Sequence, residues 1–111
     1  MPDTSALNIA QMRAAAERAT ALLRALAHED RLLLLCQLSQ QELCVGELEA
    51  QLDLHQPMLS QQLGVLRRQA LVSTRRDGKR IYYRIADPRA LALLQTLYSL
   101  YCDERGTQHD D

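Results

Sequence analysis

At 111 residues with 47% hydrophobic side chains, the chain is long enough for one domain around one core. It is near the lower end of comfortable size, so a second copy is expected to cover part of its apolar surface. The net charge of -1 argues against a nucleic-acid partner only until it is mapped: Arg67 to Arg84 holds seven basic residues against one acid, Asp77, and everything else sums to -7. Such segregation offers phosphate a single basic face while the rest of the surface repels non-specific contact, the competing reading being a solvated hairpin charged for solubility. There is no Phe or Trp and a great deal of Leu, which makes the core aliphatic and mostly helical. No charged start is followed by an apolar run, and RLLLLCQL is too short to span a bilayer, so no membrane partner and a cytoplasmic location are expected. The three cysteines are then expected as thiols, and a disulfide among them would be a signal and not a staple.

In chain order, residues 1–7 and 105–111 read as flexible tails of a single domain spanning 1–111. A helix is predicted from about Asn8 to Leu26, with Ile9, Met12, Ala16, Ala19, Leu22, Leu23 and Leu26 at helical spacing. That stripe is wide for a terminal helix and reads as dimer-forming, the alternative being a cap on the monomer's own core. His28-Glu29-Asp30 enters a second helix, about Glu29 to Ser39, whose Leu32 to Leu35, Cys36 and Leu38 leave almost no polar side, so it is expected to be buried. Gln40 to Cys44 connects onward, with room for a short extended pairing at Leu43-Cys44, and a short third helix follows from about Gly46 to Leu52.

The turn Asp53-Leu54-His55 leads to the stretch QPMLSQQLGVLRR, Gln56 to Arg68, on which the other elements converge. Its proline suits a first helical turn; Met58, Leu59, Leu63 and Leu66 share an apolar side, and Gln56, Ser60, Gln61, Arg67 and Arg68 face outward. Alternating sequence follows, Leu71 to Arg76 and Arg80 to Ile85, as two strands joined across Asp77-Gly78. Asp87-Pro88 then starts a last helix, about Arg89 to Asp103. The predicted class is mainly α with a small β-hairpin wing, in the order α-α-α-α-β-β-α, the plan of a winged helix-turn-helix DNA reader.

With these elements, the segments LAHEDRLLLLCQL, ELCVGELEAQL, QPMLSQQLGVLRRQALV and RRDGKRIYYRI resemble the ArsR/SmtB family of bacterial repressors over about Leu26 to Ile85. The resemblance implies a homodimer through the first and last helices on a two-fold, AT-containing operator with half-sites about one duplex turn, roughly 34 Å, apart. Early positions on the recognition helix reach base edges, so Gln56, Ser60 and Gln61 are candidates, glutamine suiting the bidentate edge of adenine. Met58 fits a thymine methyl or the core. Arg67, Arg68, Arg75, Arg76, Lys79 and Arg80 are placed for phosphate or the minor groove.

The family's inducer sites can be compared one at a time. The arsenic and cadmium type resembles ELCVCDL, with two thiolates; here Gly46 replaces the second cysteine and leaves Cys44 alone. The zinc type pairs Asp with His two residues on; here Asp87 is followed by Arg89. Neither metal nor cofactor is therefore expected. Cys36 and Cys102, with LYSLYC on the last helix, resemble the BigR/SqrR-like branch, whose members sense persulfides and other reactive sulfur. The resemblance implies a disulfide or polysulfide bridge between them that lowers operator affinity. Taken alone, Cys36 in a Leu-rich helix is a small core residue, and Cys44 a bystander. His28 and His55 read as turn residues. Two alternatives stay open: a repressor released by arsenite or a thiophilic metal at Cys36, Cys44 and Cys102, and a winged-helix module that binds no DNA. An enzyme is not expected, for want of a phosphate loop or an activated nucleophile with base and orienter.

Overall fold

The computed structural model describes residues 6–102, with side chains from Asn8 onward; the tail expectations for 1–5 and 105–111 lie outside them. The elements are α1 (Ala6–Leu26), α2 (Glu29–Leu38), β1 (Leu43–Cys44), α3 (Val45–Leu52), α4 (Met58–Arg68), β2 (Val72–Asp77), β3 (Arg80–Ile85) and α5 (Pro88–Tyr101). The first helix begins at Ala6, inside the stretch read as tail. The short extended pairing read at Leu43-Cys44 is present as β1, a strand that the order α-α-α-α-β-β-α does not count: it pairs antiparallel with β3 through Leu43↔Tyr83 and Cys44↔Tyr82, giving a three-stranded sheet in the order β1-β3-β2. Two residues carry no periodicity, so only the partner strand makes them a strand.

Seven leucines form the centre of the core. Leu34 and Leu35 of α2, Leu48 of α3, Leu59, Leu63 and Leu66 of α4 and Leu94 of α5 are all essentially inaccessible to solvent. They tie the helix-turn-helix pair α3 and α4 to α2 beneath it and to α5. Side-chain bonds fix the corners. Asp87 accepts from the Arg89 and Ala90 backbone N–H groups at 2.8 and 3.4 Å, capping α5 as its Asp-Pro start predicts. His28 likewise caps α2, its Nδ1 accepting from the Arg31 N–H at 3.4 Å, which makes it a turn residue as read. Arg31 in turn donates to the Ala25 and Arg24 carbonyls at 2.8 and 3.2 Å, closing the C-terminal end of α1.

The rest of α1 does not join this body. Among its described side chains only Ala25 and Leu26 are buried, while Ile9, Met12 and Leu23 are 52%, 64% and 52% exposed. The 21-residue helix is about 31 Å long at 1.5 Å per residue and packs against α2 at its last turns only. The reading in which it caps the monomer's core does not hold within one chain. α2 also departs from expectation: Leu33 is 40% exposed, so this helix has one open side.

The end of α4 explains how the chain turns into the wing. The Leu71 N–H donates to the Leu66 carbonyl and the Ala70 N–H to the Arg67 carbonyl, each at 3.0 Å, a Schellman closure with Ala70 left-handed at φ 60. Glycine is the usual residue there, because a Cβ costs energy in that region. Ala70→Gly is expected to raise stability by roughly 0.5–1 kcal/mol, the strain relieved less the extra freedom of the unfolded chain. Thermal or urea unfolding of the two proteins checks this.

Candidate nucleic-acid interface and thiol cleft

The recognition helix begins later than its sequence reads. Pro57 occupies the N-cap and Met58 the first helical position, so Gln56 lies in the approach to α4 and not on it. Its backbone N–H points to the Glu49 carboxylate of α3 at 3.4 Å, and its side-chain oxygen accepts the Ser60 hydroxyl, one turn into α4. Gln56, Ser60 and Gln61 are exposed together with Arg67 and Arg68, and Leu59, Leu63 and Leu66 face the core, as expected. Met58 does not join the apolar side: it is 37% exposed, at the start of the helix where the core has not yet been reached.

The wing is a hairpin with Asp77 opposite Arg80, so its loop is Gly78-Lys79, one residue beyond the expected turn. Gly78 has φ 66 and Lys79 does not share the positive φ, which makes a type II′ turn with glycine at the first central position. Arg76 and Lys79 carry no ion-pair partner among the described residues and stand exposed at the tip. Arg80 is also exposed; the adjoining Tyr82 phenol raises its pKa by hydrogen bonding and charge, with lesser support from Cys44 and Glu47.

Arg75 is placed differently from the other basic residues. Its Nε and Nη2 both approach Glu42 Oε1 at 2.8 Å, its Nη1 lies 3.8 Å from Asp77, and its guanidinium sits 4.7 Å over the Tyr82 ring. The Glu42 hydrogen bond is the main cause of its raised pKa. Sequence reasoning missed Glu42 because it lies 33 positions away and precedes β1 by one residue. Arg84, too, has a partner in the sheet, its Nε 3.3 Å from Ser73 Oγ.

Between α2 and α5, Cys36 and Cys102 line one cleft of about 260 Å³ with Glu29, Leu32, Leu33, Leu97 and Tyr101. All three cysteines are free thiols: Cys36 half-buried, Cys44 buried and Cys102 exposed at the C-cap of α5. Burial among the leucines pushes the Cys36 thiol pKa up, and the charge of Cys102 adds to the rise, so the two thiols sense each other electrostatically. Cys44 is elsewhere. It ends β1 and lines a separate cleft between α3 and the wing, with Glu47, Lys79, Arg80 and Tyr83, while its backbone N–H is held by Glu47 at 3.0 Å. The described residues of one chain therefore do not bring the three cysteines to one point. His55, paired at 3.4 Å with exposed Asp53, takes no part in either cleft.

An outward polar helix, a basic hairpin beside it and a buried leucine core beneath define a winged helix-turn-helix, DNA-binding transcriptional regulator. Residues 28–74 match the family model described as bacterial regulatory protein, arsR family. The chain belongs to that family. It is 48% identical over 100 residues to the biofilm growth-associated repressor of Agrobacterium fabrum, covering 90% of this chain and 86% of that one. Among solved structures, the transcriptional regulator HlyU from Vibrio vulnificus superposes with a TM-score of 0.82 at 45% identity, over 86% of this chain and 99% of that chain. The transcriptional repressor BigR from Xylella fastidiosa gives 0.77 at 46% identity, over 83% and 94%. These relatives are regulators, not enzymes, and no helix among the described residues is long and apolar enough to cross a membrane.

Proposed function

We propose that the protein is a dimeric transcriptional repressor whose Cys36 and Cys102 thiols react with persulfides or related reactive sulfur, and that bridging them lowers its affinity for operator DNA. The observation that carries this reading is the shared cleft: two thiols 66 positions apart in sequence line one small cavity between α2 and α5. Repressor function is supported by likeness to proteins named as repressors.

The chemistry balances without a metal. The exposed Cys102 thiolate attacks the sulfane sulfur of a persulfide RS–SH; the RS–S bond breaks, RS⁻ leaves and takes up a proton as RSH, and Cys102 carries –S–SH. The Cys36 thiolate then attacks the inner sulfur, hydrosulfide leaves, and a Cys36–Cys102 disulfide remains. The two thiols are oxidised, and the sulfane sulfur is reduced. If Cys102 instead carries –S–S–SH, attack by the Cys36 thiolate on the sulfur next to the terminal one expels hydrosulfide and leaves one extra sulfur in the bridge. Either product ties α2 to α5 at Cys102, the residue that follows Tyr98, Leu100 and Tyr101, which are 37%, 68% and 78% exposed.

Those residues and the open stripe of α1 form the surface on which a second copy is proposed to sit, because a helix exposed over most of its length has no other cover. The bridge is proposed to act there, shifting the spacing of the two α4 helices on a two-fold operator. Base contacts are assigned to Gln56, Met58, Ser60 and Gln61, and backbone contacts to Arg67, Arg68, Arg76, Lys79 and Arg80. The arsenite reading needs three thiols at one point, which one chain does not supply among the described residues.

Intact-protein and peptide mass spectrometry after glutathione persulfide, with arsenite in parallel, tests the reading. The expected result is a Cys36–Cys102 cross-linked peptide carrying zero to two extra sulfurs, with matching release of a duplex that the untreated protein recovers from a random-sequence pool. Unmodified cysteines with release by arsenite would overturn the sulfur assignment and leave the DNA assignment standing.

A further inference from the structure

We propose that Glu42, Arg75 and Tyr82 form a clasp across the wing sheet that sets the angle of the hairpin, so that Arg75 is a positioning residue for DNA binding and not a phosphate contact. This inference rests on the DNA-binding reading and reassigns one residue within it. The clasp follows from strand order. β3 is the middle strand, and Cys44 of β1, Tyr82 of β3 and Arg75 of β2 form one row of paired residues across the sheet. Arg75 on the outer strand lies over the Tyr82 ring at 4.7 Å and reaches past the middle strand to Glu42, beside the far strand, at 2.8 Å. One side chain thereby spans all three strands.

This geometry matters because of what each strand is attached to. β1 continues directly into α3, the first helix of the helix-turn-helix, whereas β2 and β3 carry the wing tip. The base of the hairpin is fixed in the core by Val72, Tyr83 and Ile85, but β1 is only two residues long and holds β3 through two residue pairs, so the outer half of the hairpin has only this short strand joint beyond its base. The clasp adds a charged hydrogen bond and a ring contact at that joint. Two further groups support it: Asp77 approaches the same guanidinium from the tip side at 3.8 Å, and the phenol of Tyr82 neighbours Arg80. Tyr82 thus stands between the arginine that holds the sheet and one assigned to the DNA backbone. With Glu42, Asp77 and Tyr82 around it, the Arg75 guanidinium would have to abandon these partners to reach phosphate, while Arg76 next to it carries no such partner among the described residues.

The two roles predict opposite signs for one substitution. Glu42→Ala removes an acid beside the basic hairpin. If Arg75 is a phosphate contact held in reserve, this frees it, and DNA binding tightens. If Arg75 is a clasp, the hairpin loses its anchor, and binding weakens despite the gain in net positive charge.

The test uses the full chain and a duplex that the wild-type protein has recovered from a random-sequence pool, with affinity measured over a range of salt for wild type, Glu42→Ala, Arg75→Ala and Arg76→Ala. Glu42→Ala and Arg75→Ala are each expected to weaken binding about two- to fivefold at every salt concentration, the reach of a partly exposed ion pair. Their salt slopes should match the wild type, whereas Arg76→Ala should reduce the slope of log K against log salt by about 0.9, one phosphate neutralised fewer. Hydrogen exchange without DNA supplies a second readout: residues 72–85 should exchange faster in the first two variants and unchanged in Arg76→Ala. Tighter binding by Glu42→Ala, or a slope change in Arg75→Ala equal to that of Arg76→Ala, would overturn the clasp. Failure of the wild type to show salt-dependent duplex binding is seen before any substitution and would overturn the DNA reading and the clasp's role with it.

Discussion

A Cys102→Ser variant is expected to stay on its operator duplex under a persulfide dose that releases the wild type, and to show little modification at Cys36. Cys36→Ser should also stay bound, but with Cys102 carrying an added sulfur that goes no further. The asymmetry follows from the cleft. Attack on sulfane sulfur needs a thiolate and access to it. Cys102 is exposed at the end of α5, whereas Cys36 is half-buried on α2, where burial first and the Cys102 charge second hold its thiol protonated. The exposed thiol is therefore expected to react first and the buried one to resolve. Closure should accelerate as pH rises, because at pH below the raised pKa of Cys36 each unit upward gives about ten times more of its thiolate. In Cys102→Ser the electrostatic part of the shift is gone while burial remains, so alkylation of Cys36 should titrate at a lower pH than in the wild type, yet still above an ordinary thiol. Peptide mass spectrometry against pH, beside operator binding, checks the order. Persulfidation of Cys36 in Cys102→Ser at the wild-type rate would reverse the assigned roles.

The second large effect is on stability. Leu66→Ala is expected to cost about 2–5 kcal/mol, the range for a leucine removed from a closed core, out of a total near 5–15 kcal/mol for a domain of this kind. Leu66 has no exposed surface, and it holds the recognition helix from two directions. Its side chain lies in the seven-leucine centre, and its carbonyl receives the Leu71 N–H that turns the chain into the wing. The cavity would open in a cluster whose other six central leucines are likewise inaccessible to solvent. A fall in melting temperature of roughly 10–20 °C is expected. Leu33→Ala, on the open side of α2, should lose only a small fraction of that. Calorimetry at one protein concentration distinguishes the two, and equal losses would mean that the core is not centred where these burials place it.

What the chain shows in its sequence and what it hides divide along a physical line. Local chemistry is legible: Asp87-Pro88 starts α5, Gly78 makes the tight turn, and leucine spacing marks α2 and α4, because each signal is complete within a few residues. Relations between distant segments are not. The extended pairing at Leu43-Cys44 is readable, but not that its partners are Tyr82 and Tyr83 of the middle strand. Arg75 looks like any other wing arginine until Glu42 is brought to it from 33 residues away. Met58 and Leu33 share a periodicity with buried leucines but lie at the margins of the core, where spacing alone cannot separate them. The thiol pair is intermediate. Resemblance names Cys36 and Cys102, and the Leu-rich neighbours of Cys36 already mark it as the more buried of the two, but only folding brings them to one cleft.

The strand order has one more consequence. With β3 in the middle and β1 only two residues long, the outer side of β2 is the one extended strand edge open to another chain among the described residues. An open edge is a template for strand addition and aggregation. Along this one the sequence runs Ser73, Thr74, Arg75, Arg76 and Asp77, polar and then charged toward the tip, and charged edges repel a second copy of themselves. Arg75 and Arg76 are thus expected also to discourage polymerisation through the wing. A variant stripped of Arg75 and Arg76 together is expected to lose that protection as well as part of its affinity for the duplex, and insolubility on storage would be its first visible defect.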